Sequence, residues 1–287
     1  AAVARRFTVA PTAAAVTGSD GPLATGQLVL PRLKSLEVNL QSVRWPSTVR
    51  PDLGGHAEYL FRVFHREADG RFAPTPLENT PDTDRLDRDP AQRQALQRWI
   101  ATQLDAIDAG TARLPDEFLA TRAVSVTPRG LARRQNRPFV RVLAERDLQA
   151  LPLAGRRTIA SPKALLRRLD GLTCMGCHQS RSVAGFHVLG EEADPARTAD
   201  ALAVGVSPHF TGDQPRRAAY SAALLDVTTP DEFRSNAERA GRSTDGFGAH
   251  CGLGDPGFAA WRCAPDAHCA AVDDPDVGIC LPARPAI

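Results

Sequence analysis

Methionine, lysine and tyrosine are scarce in this chain. Its 287 residues include one methionine, Met175, two tyrosines, and only two lysines, Lys34 and Lys163. Aromatic residues make up 6%, too few and too dispersed for a surface that stacks nucleic-acid bases. Neither sign of charge dominates: 35 basic and 33 acidic side chains leave a formal net charge of +2, which gives a nucleic-acid partner no electrostatic footprint. No run of 18 apolar residues occurs, so no membrane-spanning helix is expected. The start, Ala-Ala-Val-Ala-Arg-Arg-Phe, lacks the basic region and long apolar core of a signal peptide; it suits a mature end left by cleavage or a trimmed chain. The nucleophile elbow G-x-S-x-G, the zinc-protease pattern H-E-x-x-H and the phosphate-binding P-loop are all missing, which removes the activities those motifs carry.

What is present is ordinary for a folded protein. Hydrophobic residues are 43% and charged residues 24%, which excludes a mostly disordered chain. The length suits one large domain or two modest ones. Residues 1–25 are rich in Ala, Thr, Gly and Pro and read as a loose lead-in. Residues 36–45 alternate, with Leu36, Val38 and Leu40 on one face; Val43 and Trp45 follow in the other phase. That change of phase predicts a strand with a bulge near Gln41-Ser42. A second strand is expected over 57–65, and Ala68-Asp69-Gly70 supplies a turn into a short third.

Residues 91–109 give the clearest helix, with Leu96, Trp99, Ile100, Leu104 and Ile107 on one stripe, Asp89 as cap, Pro90 in the first turn and Gly110 as the stop. Another strand is expected over 138–145. Ser161-Pro162 opens a helix carrying Leu165, Leu166, Leu169 and Leu172 on one side and leads to Cys174. Thr229-Pro230-Asp231-Glu232 reads as a further helix start, with Gly241 as its stop. The acidic cluster Asp82, Asp84, Asp87 and Asp89 lacks the EF-hand pattern and reads as a solvated loop plus the cap at Asp89. Taken together, an α+β fold is expected: a small antiparallel sheet with helices over 26–150, a mainly helical region over 151–245, and a cysteine-rich loop module over 246–287.

Residues 174–178 read Cys-Met-Gly-Cys-His, the C-x-x-C-H pattern that attaches c-type haem. Two thiols three residues apart can reach two vinyl groups on neighbouring edges of one porphyrin, and the next histidine can bring its imidazole under the iron. Chance placement of six cysteines and seven histidines would give about 0.003 such matches. A structural zinc site would want a second ligand pair, and no second C-x-x-C exists. A thioredoxin-like pair would sit in a βαβ context, whereas here a helix precedes the motif. A plain structural disulfide is the remaining alternative.

The segment resembles the c-type cytochromes, in which a helix commonly runs into C-x-x-C-H, and the resemblance is confined to this stretch. It implies one covalent haem c held by Cys174 and Cys177, with its iron ligated by His178. It also implies a partner that gives or takes electrons, a redox protein or a small donor or acceptor. Many small members of the family use a downstream methionine as the second axial ligand. Met175 lies inside the motif, so the second ligand is expected to be a histidine or another group, or the position open. Of His56, His65, His187, His209, His250 and His268, His187 is favoured because it shares the segment leaving the motif; nine extended residues span roughly 30 Å, enough to pass a haem edge. His209 and His250 follow. Arg181 is placed to meet a haem propionate, and equally reads as a solvated arginine.

Cys251, Cys263, Cys269 and Cys280 fall in the last 37 residues, spaced C-x11-C-x5-C-x10-C. So little apolar content cannot build a core there, and two disulfides would supply what it lacks. The three possible pairings stay open, and a zinc site is the alternative, though the spacing does not match common ribbons. Disulfides and haem c both point to a periplasmic or extracellular protein. Gly252-Leu253-Gly254-Asp255-Pro256-Gly257 matches G-x-G-x-x-G but follows no strand and opens no helix, so its glycines are read as turns. Three functions fit these residues: electron transfer through the haem, a peroxidase-like haem enzyme with an open distal site, or a secreted disulfide-stapled binding or structural protein.

Overall fold

The computed structural model describes residues 33–45, 56–127, 130–178, 213–235, 244–245, 250–254, 259–271 and 274–282. The lead-in over 1–25 lies outside them. The described part has the expected α+β character.

Strand β1 (Ser35–Trp45) pairs antiparallel with β2 (His56–Arg66). The register shifts between Gln41 and Val43, so Ser42 is the extra residue, at the point where the sequence changes phase. Its hydroxyl donates to the Glu58 carbonyl at 3.2 Å. The far edge of β2 is shared. β3 (Phe72–Thr75) pairs with one end of it and β4 (Ala123–Thr127), a strand the sequence pattern did not suggest, with the other.

The two faces of this sheet differ. Ala57, Tyr59, Phe61 and Ala123 pack on Leu77 and Met175. On the other face Leu36 pairs with Phe64, Leu40 with Leu60, and Leu60 with Val124. There Leu40 is 54% and Val124 40% exposed.

The acidic cluster is not a solvated loop. Its aspartates start two helices. Asp82 accepts the Arg85 N–H at 3.0 Å at the head of α1 (Thr83–Arg88). Asp89 accepts the N–H groups of Ala91 and Gln92 at 3.0 and 3.1 Å at the head of α2 (Pro90–Thr102). Each aspartate satisfies donors that the first turn of a helix leaves open. The single helix expected over 91–109 breaks at Gln103 and resumes as α3 (Leu104–Ala109). Thr102 donates its hydroxyl to the Trp99 carbonyl at 2.8 Å, a local bond that competes with the helical one. The apolar stripe survives the break, since Leu96, Ile100, Leu104 and Ile107 are all buried. Gly110 ends α3 with φ 77°.

The strand expected over 138–145 is instead the short helix α4 (Pro138–Val142), followed by a 3-10 turn at Glu145–Asp147. Pro138 occupies the first helical position, where no N–H is needed, and the next N–H, of Phe139, is bound by Asp170 at 2.8 Å. Those two anchors outweigh the alternating pattern. Helix α5 (Pro162–Gly171) forms as expected, with the Ser161 hydroxyl accepting the Ala164 N–H at 3.1 Å. Leu165, Leu166 and Leu169 enter the main core with Phe118, Phe139 and Ile159. Helix α6 (Cys174–His178) follows, then α7 (Asp213–Leu225). The helix expected to start at Thr229 is absent over 228–235. Asp231 instead closes a turn by accepting the Phe233 N–H at 2.9 Å. Gly241 lies outside the described residues.

The cysteine-rich tail contains more order than a loop module. β5 (Thr244–Asp245) pairs parallel with β7 (Arg262–Cys263), while β6 (His250–Gly252) and β8 (Ala267–Ala270) flank β9 (Val277–Pro282). Disulfides join Cys251 to Cys269 and Cys263 to Cys280. The regular pattern was invisible because each strand is only two to six residues long. Among the described residues no helix is long and apolar enough to cross a membrane.

Two measurements check this packing. Non-reducing peptide mapping will recover the 251–269 and 263–280 pairs, and reducing both will cost about 2–4 kcal/mol of stability or more, given loops of 18 and 17 residues. Asn136, fully buried, ties β4 to the turn after it: its side chain accepts the Val126 N–H and donates to the carbonyls of Val126 and Gly130 at 2.7–2.9 Å. Asn136→Ala leaves these groups without partners and will lower the unfolding free energy by about 2–4 kcal/mol in urea titration.

Candidate functional site

Helix α6 has its own start signal. The Thr173 hydroxyl donates to the Asp170 carbonyl at 2.7 Å and accepts the Gly176 N–H at 3.0 Å. One buried threonine therefore closes the end of α5 and caps the start of α6. A second threonine holds the motif from the sheet side, where Thr80 Oγ1 accepts the Cys174 N–H at 3.2 Å. Both intervening residues of the motif are fixed by packing. Met175 is buried under the sheet with Tyr59, Phe61 and Leu77. Gly176 sits so close to α5 that a Cβ there would lie 1.9 Å from the Asp170 carbonyl oxygen, so only glycine fits.

Cys174 is a free thiol, half-buried beside the same apolar cluster. Its Sγ lies 3.8 Å from the Glu78 carbonyl oxygen. Burial pushes the thiol pKa up; a hydrogen bond with Thr80 pulls it down, while the carboxylates of Glu78 and Glu37 push it further up. The net effect holds the thiol protonated. The backbones of Cys177 and His178 belong to α6; their side chains, with Arg181, His187 and His209, lie outside the described residues.

The other histidines are placed apart. His250 is buried on β6, opposite Ile279 and next to the Cys251–Cys269 bond. His268 is exposed on β8. His56 and His65 are on β2, and His56 Nε2 lies 3.1 Å from Glu58 Oε1 while its ring stacks on Trp45. The sulfurs of Cys251, Cys263 and Cys269 lie within 4.8 Å of one another. That closeness follows from two disulfides side by side, and sulfurs bonded in this way are not thiolate ligands for zinc.

A buried charge network fixes α5, and through it α6. Asp170 is fully buried. Its Oδ1 takes the Phe139 N–H at 2.8 Å and its Oδ2 lies 3.6 Å from Arg137 Nε. Arg137 also pairs with Asp274 in the tail, which Arg167 Nη2 meets at 3.2 Å. Asp274 turns its other oxygen to the N–H groups of Asp276 and Val277 at 2.8 and 3.0 Å. Lys163 reaches Asp276 at 2.5 Å. The sequence drew attention to the cysteines and histidines and passed over Thr80, Thr173, Gly176 and Asp170. Only Thr173, standing immediately before the motif, carried a readable signal, that of a helix cap.

Burial drives the Asp170 carboxyl up to about 7, against the opposing pull of Arg137, the Phe139 N–H and Arg167. Asp274 moves the other way: burial alone would raise it, but Arg137 and Arg167 hold it below the usual carboxylate range. For Asp170 the folded pKa exceeds the ordinary 3.8. Its contribution to stability is therefore complete below about pH 4 and is lost as pH rises through about 7. Asp170→Asn will abolish this slope. In urea titrations across pH 4–8, the difference in midpoint between variant and parent will move in the variant's favour as pH rises.

Comparison of the chain with protein-family models, with curated proteins and with solved structures gives no match.

Proposed function

We propose that Cys174 and Cys177 hold one haem through thioether bonds, that His178 ligates its iron, and that the chain is an exported mono-haem c-type cytochrome-like protein that transfers electrons. The observation that carries this reading is the unpaired Cys174 thiol at the head of a helix containing the whole C-x-x-C-H pattern. Positions i, i+3 and i+4 of a helix fall on one side, and 174, 177 and 178 are such positions. Met175 and Gly176, between them, are taken up by the sheet and by α5. The donor set suits the group: addition across a vinyl double bond consumes one S–H, the sulfur going to one carbon and the hydrogen to the other, and Cys174 is unpaired and protonated. When bound, haem supplies a one-electron Fe(III)/Fe(II) couple.

The chain's own residues would hold that couple in place and tune it. Thr80, Thr173 and the Asp170 carbonyl fix the start of α6. Glu37 and Glu78, the carboxylates felt at Cys174, favour the more positive ferric state and so lower the potential. Met175 is occupied as a core residue, so His187 would be the second residue to ligate the iron, and Arg181 would pair with a propionate. Bis-histidine ligation lowers the potential further relative to histidine–methionine. The disulfides in the tail accord with export to the periplasm or beyond, where a redox protein or small donor would be the partner.

The test uses protein made in cells that possess haem-attachment machinery. Its alkaline pyridine spectrum will show a c-type haem, and the peptide containing 174–178 will carry one haem mass; a bare peptide refutes the proposal. Ferric protein at low temperature will give a rhombic low-spin resonance that becomes high-spin in His187→Ala. A high-spin signal in the unsubstituted protein overturns the bis-histidine assignment and moves the reading to a haem enzyme with an open distal position.

A further inference from the structure

The sheet face turned away from α6 carries a second feature that the haem reading does not use. A cleft of about 430 Å3 opens there, lined by Glu58, Val124, Val126, Arg134, Gln135 and Arg141, a volume in the range of small-molecule sites. Its wall is held rigidly. Asn136, immediately after Arg134 and Gln135, is buried and bonded three times to the backbone of Val126 and Gly130. The turn carrying the two polar residues is thereby pinned to the strand that supplies the two valines. We propose that this cleft binds a monocarboxylate with a short aliphatic tail.

The charges select the head group. Arg134 is exposed and forms no ion pair among the described residues. Arg141 has only a loose contact with Asp84, 3.8 Å away and exposed, a kind of pair worth little in water. Guanidinium groups match carboxylates in charge and shape, and the Gln135 amide adds a donor. Glu58 stands on the same lining with His56 at 3.1 Å. Within the lining, two arginines against Glu58 leave one surplus positive charge, which suits a monoanion and disfavours a dianion such as phosphate.

The neighbouring strands select the tail. Val124 is paired with Leu60, and Leu60 with Leu40. These three residues make an apolar row running from the cleft to the edge strand, with Val124 and Leu40 40% and 54% exposed. Open apolar surface beside two guanidinium groups fits an amphipathic anion better than a purely polar one.

The experiment follows backbone amide shifts of the labelled full chain during titration with butanoate, hexanoate and octanoate below their micellar concentrations. Hexan-1-ol and inorganic phosphate serve as probes lacking the charge or the tail. The expected result is saturable movement at Val124, Val126 and Gln135, with affinity rising about two- to fourfold per added methylene. Arg134→Gln will weaken hexanoate at least tenfold. Leu40→Thr, at an exposed edge position, will weaken octanoate and leave butanoate unchanged. Equal binding of hexan-1-ol, tighter binding of phosphate, shifts that never saturate, or indifference to Arg134→Gln would each overturn the proposal. Haem content of the preparation is read separately from its visible spectrum, so this result and that of the haem test stand independently.

Discussion

A carboxylate with no access to water, Asp170, is tolerated at the centre of this protein only because the Phe139 N–H, Arg137 and Arg167 offset its charge. An isolated buried carboxylate is too costly to keep. Here the Phe139 N–H and the Arg137 guanidinium share the charge, and Arg137 is in turn shared with Asp274. Such a network adds little net stability compared with an apolar core of the same shape, but losing one member costs about 3–5 kcal/mol. Its effect is to specify an arrangement. α4, α5 and the cysteine-rich tail can each satisfy their charged groups in this mutual placement. The tail reinforces it with Lys163–Asp276 and with Trp261 and Val277 packed on Ala164.

α5 is consequently enclosed on several sides. Leu165, Leu166 and Leu169 face the main core. Ala164 and Arg167 meet the tail. Arg168 donates to the carbonyls of Ile107 and Asp108 at 3.1 and 3.2 Å and also to that of Arg234, a cation at the carbonyl end of α3 where the helix dipole favours it. Gly110 belongs to this contact as well, because a Cβ there would meet the Arg168 guanidinium at 2.3 Å. A helix so confined has little freedom at its end, and its end is where Thr173 and Gly176 seat the short helix of the Cys-Met-Gly-Cys-His motif. The placement of the motif is therefore set one helix upstream of the cysteines.

How far the sequence could be read depended on whether the deciding contacts were local. Asp89-Pro90, Ser161-Pro162 and Gly110 are neighbours in sequence of the groups they satisfy, and the helix ends they mark form where expected. The bulge at Ser42 was likewise visible as a change of phase within one strand. The strand expected over 138–145 failed because Phe139 is anchored by Asp170, 31 positions away. β4 was missed because its pairing with β2 is decided across the chain and its five residues are too few to show a period. The same limit applies at the candidate site. The chemistry-bearing residues announce themselves, whereas Thr80, 94 positions from Cys174, does not.

The sheet keeps two differently built faces apart on one small scaffold. β2 and β4 are covered on one face by Met175 and the head of α6, and open on the other toward Arg134 and Arg141. Side chains alternate between these faces, so Tyr59 and Phe61 serve the covered side while Glu58 and Leu60 serve the open one. A substitution at Leu40 or Arg134 therefore acts on the outer surface without entering the cluster around Cys174. The two β2 neighbours Glu58 and Tyr59 stand one residue apart yet on separate sides, each free to vary with its own site. An apolar face left open would ordinarily invite association, and the exposed guanidinium groups of Arg134 and Arg141 at its margin oppose that by placing charge beside it.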